Sequence, residues 1–115
     1  MIPGSIVVVD WRDALPESGE PNKHRPAVVV GRGDFFDADF GYLLVVPLTS
    51  DAPLRIAGAT VEIPPTEENR CSKRSYALTW NLQTVPKRRA RATEARVTDA
   101  QLDELRDQIA RLVER

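Results

Sequence analysis

The sequence predicts a small, mainly β domain with one helix: an antiparallel barrel or strongly curled sheet followed by a C-terminal helix. Three observations predict this fold class. Segments rich in β-branched residues recur about every ten to fifteen residues, with turn residues between them. No helical pattern separates the early segments, so parallel βαβ units are not expected. A single amphipathic segment at the end of the chain accounts for the helix.

The strands are predicted from short apolar runs that glycine, proline and polar residues delimit. They cover residues 5–11, 26–30, 42–49, 59–63, 75–81 and 92–97, and residues 82–85 extend the fifth strand after a bend. The first two are continuous β-branched runs, which are typical of strands buried on both faces. Pro47 has no N–H for a ladder, so the third strand is expected at a sheet edge or bulged at that point. Residues 12–25 and 34–41 are predicted loops.

The helix is predicted to begin after Thr98, because Thr98 and Gln101 have the spacing of a capping box. Val97 and Leu102 are placed for a hydrophobic staple across this start. Apolar residues then repeat at helical spacing, at Leu102, Leu105, Ile109, Leu112 and Val113. We expect this stripe to cover apolar surface on the sheet or on a partner.

Length and composition limit the class of protein. The 115 residues fit one domain, residues 1–115, and 42% hydrophobic with 29% charged residues is an ordinary globular mixture. The longest apolar runs, 6–9 and 42–48, are far shorter than the roughly 20 residues of a membrane helix. No signal peptide is visible, and one cysteine with one histidine predicts neither a disulfide framework nor a zinc site. We expect a cytoplasmic protein with no membrane association, no cofactor and no metal.

The basic residues are unevenly distributed, although the net charge is only −1. Glu94 is the single acid between residues 70 and 96, a stretch that carries eight basic residues: Arg70, Lys73, Arg74, Lys87, Arg88, Arg89, Arg91 and Arg96. Such a concentration can bind phosphate even when the whole chain is nearly neutral. The alternative is a solvated face that pairs with the acidic helix.

Three segments together resemble the MazF/PemK-like toxins of bacterial toxin–antitoxin systems. They are residues 4–10 (GSIVVVD), 25–30 (RPAVVV) and 45–50 (VVPLTS), and residues 75–78 (SYAL) and the closing helix follow in the family's order. The resemblance implies an SH3-like barrel of the CcdB/PemK type with a C-terminal helix, usually a homodimer. It also implies a metal-independent endoribonuclease that cuts single-stranded RNA and is restrained by a cognate antitoxin. The family's important arginine and threonine correspond to Arg25 and Thr49.

The chemistry of these side chains suits such a reaction. The guanidinium of Arg25 is permanently charged and can grip two phosphate oxygens, whereas the Thr49 hydroxyl can donate a hydrogen bond to a phosphoryl oxygen. Ser50 is a second candidate donor. The candidate general acids and bases are His24, whose unperturbed pKa lies near neutrality, and Glu20 on the same loop. Without the resemblance, Arg25 is interpreted as an exposed loop-end arginine and Thr49 as the ordinary end of a strand.

Other side chains are candidates for contacting RNA. Phe35 and Phe36 lie in a polar loop and could stack on unpaired bases, although a small barrel also needs large apolar side chains. Arg74, Lys87 and Arg88 could hold phosphates or dock an acidic antitoxin segment. Cys71 has no partner base near it in the sequence and is interpreted as incidental.

Two other classes of function compete with RNA cleavage. One is a toxin of the same fold that poisons DNA gyrase by binding it, without nuclease chemistry. The other is an SH3-like adaptor. Neither of these functions needs a pair of groups that clamps a phosphate, so Arg25 and Thr49 favour the endoribonuclease.

Overall fold

The fold is described by a computed structural model, which covers residues 1–11 and 24–115. The strands are β1 (Ser5–Asp10), β2 (His24–Val29), β3 (Tyr42–Thr49), β4 (Val61–Ile63), β5 (Ser75–Ala77), β6 (Gln83–Pro86) and β7 (Ala90–Arg96). The helix α1 spans Asp99–Val113, and short 3₁₀ turns occupy Ala52–Leu54, Thr79–Asn81 and Lys87–Arg89. The predicted mainly β fold with one C-terminal helix is confirmed.

The strands form an antiparallel sheet in the order β4-β5-β3-β2-β1-β7, and β6 also pairs with β3. The first strand therefore lies beside the last one. A backbone bond from the Arg96 N–H to the Glu68 carbonyl, 2.9 Å long, ties the end of β7 to the segment between β4 and β5. This arrangement brings residues from distant parts of the sequence to one side of the sheet.

Both faces of the central strands are buried, as the β-branched runs predict. On β1, Ile6 packs into one apolar cluster, whereas Val7 and Val9 pack into another on the opposite face. The helix covers the first cluster, where Leu102 and Leu105 are buried. Alternation along the strands produces this division, because successive side chains point to opposite faces.

Pro47 does not lie at a sheet edge, and that alternative of the prediction is wrong. It lies in β3, a central strand, opposite Ala27 of β2. On its other side β3 changes partner: Val45 pairs with Gln83 of β6, whereas Leu48 pairs with Ala77 of β5. The missing N–H of proline is tolerated here because the ladder on that side is interrupted between the two partners.

The predicted fifth strand, 75–81, is too long. The strand ends at Ala77, and Thr79–Asn81 form a 3₁₀ turn before the separate strand β6. The buried Thr79 hydroxyl donates to the Ala59 carbonyl at 2.8 Å and also contacts the Gln108 side-chain oxygen. These bonds to distant residues hold the turn, so the local alternation in the sequence could not reveal it.

The helix begins as predicted. The Gln101 N–H donates to the Thr98 hydroxyl at 3.1 Å, and the Thr98 N–H donates to the Gln101 side chain at 2.9 Å, which completes the capping box. The apolar stripe is buried at its start, but Leu112 and Val113 at its end are exposed. No helix among the described residues is long and apolar enough to cross a membrane.

The strand β2 starts earlier than predicted. His24 and Arg25 belong to it rather than to the preceding loop, because both pair with β1, opposite Asp10 and Val9. The other residues of the predicted 12–25 loop, including Glu20, lie outside the described residues.

Candidate functional site

An open cleft of about 360 Å³ lies where β2 begins and β3 ends. We call it the first cleft. It is lined by Ile6, Arg25, Pro26, Leu48, Thr49, Ser50, Asn69, Arg70, Cys71, Ser72, Lys73 and Ser75. Among the described residues, its lining includes three cationic side chains and no carboxylate, a composition that favours the binding of an anion.

Arg25 and Thr49 lie just beyond the end of the β2–β3 ladder. The ladder ends at the pair of Ala27 with Pro47, and Arg25 and Thr49 are each two residues beyond this pair. Both side chains line the first cleft, so two groups that are distant in the sequence are brought to one site.

The end of β3 fixes the Thr49 hydroxyl. The Asp51 N–H donates to Thr49 Oγ1 at 3.1 Å, so the hydroxyl oxygen is the acceptor in this bond. Its hydrogen remains able to donate to another group, such as a phosphoryl oxygen. The next residue, Ser50, is exposed and lines the same cleft. The first cleft thus unites three of the predicted site residues, whose catalytic and binding roles remain predictions.

One wall of the first cleft is a turn organised by Asn69, a residue that the sequence analysis missed. Asn69 is only 3% exposed, and its Oδ1 accepts bonds from the Thr66 N–H at 3.0 Å and the Cys71 N–H at 2.9 Å. Its Nδ2 donates to the Pro64 carbonyl at 3.0 Å. The signal available in the sequence is a turn-forming run of proline, threonine and asparagine (PPTEEN), which does not show where the turn will pack.

The segment after Asn69 carries the cations of this wall. Arg70 forms a salt bridge with Glu94 of β7 at 3.0 Å, and both side chains are largely exposed. Cys71 also lines the cleft, and the Ser75 hydroxyl donates to its sulfur at 3.8 Å. The position of Cys71 in a cationic cleft was not expected from the sequence.

A second cleft, of about 510 Å³, holds His24 apart from Arg25. It is lined by Val8, Asp10, His24, Arg88, Arg89, Ala90 and Arg91. His24 and Arg25 separate because successive strand residues face opposite sides of the sheet. Of the predicted RNA-contacting residues, Arg88 therefore lies with His24 and not in the first cleft.

The remaining predicted residues lie elsewhere. Phe35, Phe36 and Phe40 pack edge to face with one another, with ring centroids 4.9–5.4 Å apart, and Tyr42 extends the group. Phe35 is 60% exposed, and Phe36 lines a third cleft that also contains Lys87. The Lys87 ammonium donates to the Asp37 carbonyl at 2.6 Å.

Arg74 lies in the sequence between Lys73 and Ser75, which both line the first cleft, but its side chain forms a salt bridge with Glu62 of β4. The two groups are 3.7 Å apart and both are exposed. The lining of the first cleft does not include Arg74. A phosphate-binding role for Arg74 remains a prediction.

Comparison with known proteins identifies a family whose members this chain resembles. The model of one family, described as PemK-like, MazF-like toxin of type II toxin–antitoxin system, matches residues 2–113. No curated protein matches this chain.

Three solved structures share the fold. MazF from Deinococcus radiodurans is 22% identical, with a TM-score of 0.72 over 98% of this chain and 96% of that chain. A mycobacterial endoribonuclease in complex with its cognate antitoxin is 17% identical, with a TM-score of 0.72 over 96% and 92% of the two chains. A MazE–MazF complex from D. radiodurans is 20% identical, with a TM-score of 0.69 over 98% and 94%.

Proposed function

The chain belongs to the PemK-like, MazF-like toxin family of type II toxin–antitoxin systems, and from this membership we propose that it is an endoribonuclease that cleaves single-stranded RNA. One observation carries the proposal. Arg25 and Thr49 come from separate strands, and both line one open cationic cleft whose described walls have no carboxylate. A gyrase poison or an adaptor would not need this pair.

The reaction uses the 2′-hydroxyl of the RNA as the nucleophile. The 2′-oxygen loses its proton and attacks the adjacent phosphorus, which forms a crowded phosphorane with extra negative charge. The bond from phosphorus to the 5′-oxygen then breaks, and that oxygen takes up a proton. The products are a 2′,3′-cyclic phosphate and a 5′-hydroxyl, and no metal is needed to balance the step.

Arg25 and Thr49 stabilise the phosphorane. The guanidinium places a permanent charge and a planar pair of donors against the non-bridging oxygens, and it does not act as a base because a guanidinium keeps its proton in proteins. The Thr49 hydroxyl adds a neutral donor whose oxygen is already fixed by the Asp51 N–H. Such donors act on charge that develops in the transition state, where their effect on rate is largest. His24 and Glu20 remain the candidate proton carriers.

The partners follow from the same proposal. The mycobacterial and D. radiodurans relatives occur in complexes with an antitoxin. We expect a cognate antitoxin here as well, with an acidic segment that lies across the basic clefts and blocks RNA. We also expect a twofold homodimer, and sedimentation that yields only a 12.8 kDa species at micromolar concentration would contradict it.

Incubation of the purified protein with a long RNA in the presence of EDTA tests the activity. We expect fragments that end in a cyclic phosphate, with a sequence preference visible in the fragment ends. Arg25→Ala and Thr49→Val should each lower the cleavage rate by about 10²–10³-fold. Both should unfold thermally near the wild-type temperature.

The matched control is Arg111→Ala, which removes an exposed helical arginine and should leave cleavage unchanged. RNA that stays intact over many sequences would refute the endoribonuclease. Cleavage by Arg25→Ala at the wild-type rate would refute the role of this cleft.

A further inference from the structure

The first and second clefts share one face of the sheet and adjoin each other. Val8 and Pro26 are direct partners across the β1–β2 ladder. Val8 lines the second cleft, and Pro26 lines the first. Direct cross-strand partners project from one face, so no edge of the sheet separates the two clefts. A flexible polymer bound in one cleft can continue into the other.

The first cleft lies at strand ends, where residues of both faces meet. Arg25 and Pro26 are consecutive, as are Leu48 and Thr49, and all four line this cleft. Consecutive strand residues belong to opposite faces. The first cleft therefore brings the Arg25–Thr49 pair next to the face that Pro26 shares with the second cleft.

The strand β7 supplies one arginine of the second cleft to that same face, because Val8 pairs with Arg91. Arg88 and Arg89 come from the 3₁₀ turn Lys87–Arg89 that immediately precedes β7, and both also line the second cleft. A row that crosses three strands therefore runs from Pro26 through Val8 to Arg91. Two inter-strand spacings of about 4.8 Å make this row roughly 10 Å long.

The second cleft is rich in positive charge. Its described lining contains three guanidinium groups, those of Arg88, Arg89 and Arg91, and one carboxylate, that of Asp10. Arg88 and Arg91 are exposed, and no salt bridge of the described residues engages any of the three. Guanidinium groups bind phosphate oxygens through paired donors, so they suit a chain of phosphates.

We propose that the second cleft binds the phosphate backbone of the RNA strand whose scissile bond lies in the first cleft. This inference rests on the proposed endoribonuclease function and adds a second contact region to it. The exposed Pro26 and the half-buried Val8 connect the clefts and offer apolar contact surface for ribose and base. An RNA strand is favoured over an acidic peptide because the second cleft adjoins the cleft in which the scissile phosphate is proposed to lie, so the next phosphates of the same strand reach its guanidinium groups.

The first test measures binding against salt. A 2′-deoxy substitution at the scissile nucleotide prevents cleavage, and fluorescence anisotropy then reports affinity for the labelled oligonucleotide. For single strands the slope of log K against log salt changes by about 0.7 for each phosphate that is no longer bound. The double variant Arg89→Ala/Arg91→Ala should therefore have a slope shallower by about 1.4. The matched control, Arg111→Ala/Arg115→Ala, removes the same charge from the C-terminal end of the chain and should keep the wild-type slope.

The second test trims the cleavable RNA from each end in turn. For the wild type, removal of one flank should lower the cleavage rate, because the second cleft then has no phosphates to bind. The double variant should be slower on the full substrate and should not respond to trimming of that flank. This non-additivity ties the arginines to one particular end of the substrate. Arg88→Gln/Arg91→Gln, which changes only exposed side chains, repeats the test if the first double variant fails to fold.

The outcomes separate the two proposals. A wild type that cleaves no RNA refutes the endoribonuclease, and the inference falls with it. A wild type that cleaves RNA while the variants keep its salt slope and its response to trimming refutes the second cleft alone. Variants that bind RNA normally but no longer bind poly-glutamate would assign the cleft to an acidic peptide and would also overturn the inference.

Discussion

Replacing Asn69 by alanine should weaken both the fold and the wall of the first cleft. The side chain makes three hydrogen bonds to backbone groups, and the residue is only 3% exposed. Alanine removes all three and leaves the Thr66 and Cys71 N–H groups without their acceptor. Thr66 and Cys71 are half-buried, so water can reach them in part and each missing bond costs about 1 kcal/mol. The expected loss of stability is about 3 kcal/mol.

The expected loss of stability can be converted into a decrease in the melting temperature, Tm. An unfolding entropy of about 2.1 cal/mol/K per residue gives roughly 0.24 kcal/mol/K for 115 residues. A loss of about 3 kcal/mol then lowers Tm by about 12 °C, which calorimetry or circular dichroism measures directly. At a temperature where the variant is folded, the KM for RNA should rise more than kcat falls, because Asn69 positions the wall rather than contacting the scissile phosphate.

Asn69→Asp provides the control. The carboxylate oxygen still accepts from the Thr66 and Cys71 N–H groups, but it cannot donate to the Pro64 carbonyl. At neutral pH the buried carboxylate also faces the Pro64 carbonyl oxygen, so part of the gain is lost. At a pH low enough to protonate it, the carboxyl group can donate to that carbonyl, and the Tm should then lie between those of the wild type and the alanine variant at the same pH. An alanine variant that melts within about 3 °C of the wild type, or an aspartate variant that stays less stable than alanine at low pH, would contradict the reasoning.

Two further predictions concern positions away from the first cleft. Gln108→Ala removes the amide that contacts the Thr79 hydroxyl and should destabilise the protein by about 1–3 kcal/mol. Gln108→Glu, measured at a low pH where the carboxyl group is protonated, should recover part of this lost stability. Thermal melting of both variants checks the prediction. The Arg32 guanidinium hydrogen-bonds Asp34 and holds the pKa of that carboxyl below its ordinary value. A depressed pKa means that the pair stabilises the fold at neutral pH and that this contribution disappears on acidification. Asp34→Asn should therefore have a Tm slightly below that of the wild type at neutral pH and equal to it at strongly acidic pH. A difference in Tm that grows on acidification would contradict this direction of the pKa shift.

Local sequence signals predict the elements that local chemistry determines. The β-branched runs of β1 and β3 and the capping box at Thr98 depend on neighbouring residues, and they appear where expected. The turn at Thr79 depends on Ala59 and Gln108, which are distant in the sequence, so alternation alone extended the strand too far. Tertiary contacts override local propensity at such positions.

The residues of the candidate site also divide into those that sequence signals reveal and those that only the tertiary structure places. Arg25, Thr49 and Ser50 were found because they belong to the segments that carry the resemblance, and all three line the first cleft. Asn69 and Cys71 lie in a turn whose place beside β2 and β3 follows from topology rather than from local pattern. The separation of His24 from Arg25 depends on the inclusion of both residues in β2, which the polar sequence before Pro26 did not indicate.

The pairing of β1 with β7 has a consequence for how the protein is made. The strand β1 stays without its partner β7 until residues 90–96 have been synthesised. The arginines of the second cleft, at residues 88–91, and the helix α1 are likewise synthesised long after β1. The face that β1 shares with β7 is therefore completed only after residue 96, and a truncated chain that ends before residue 88 lacks the arginines of the second cleft.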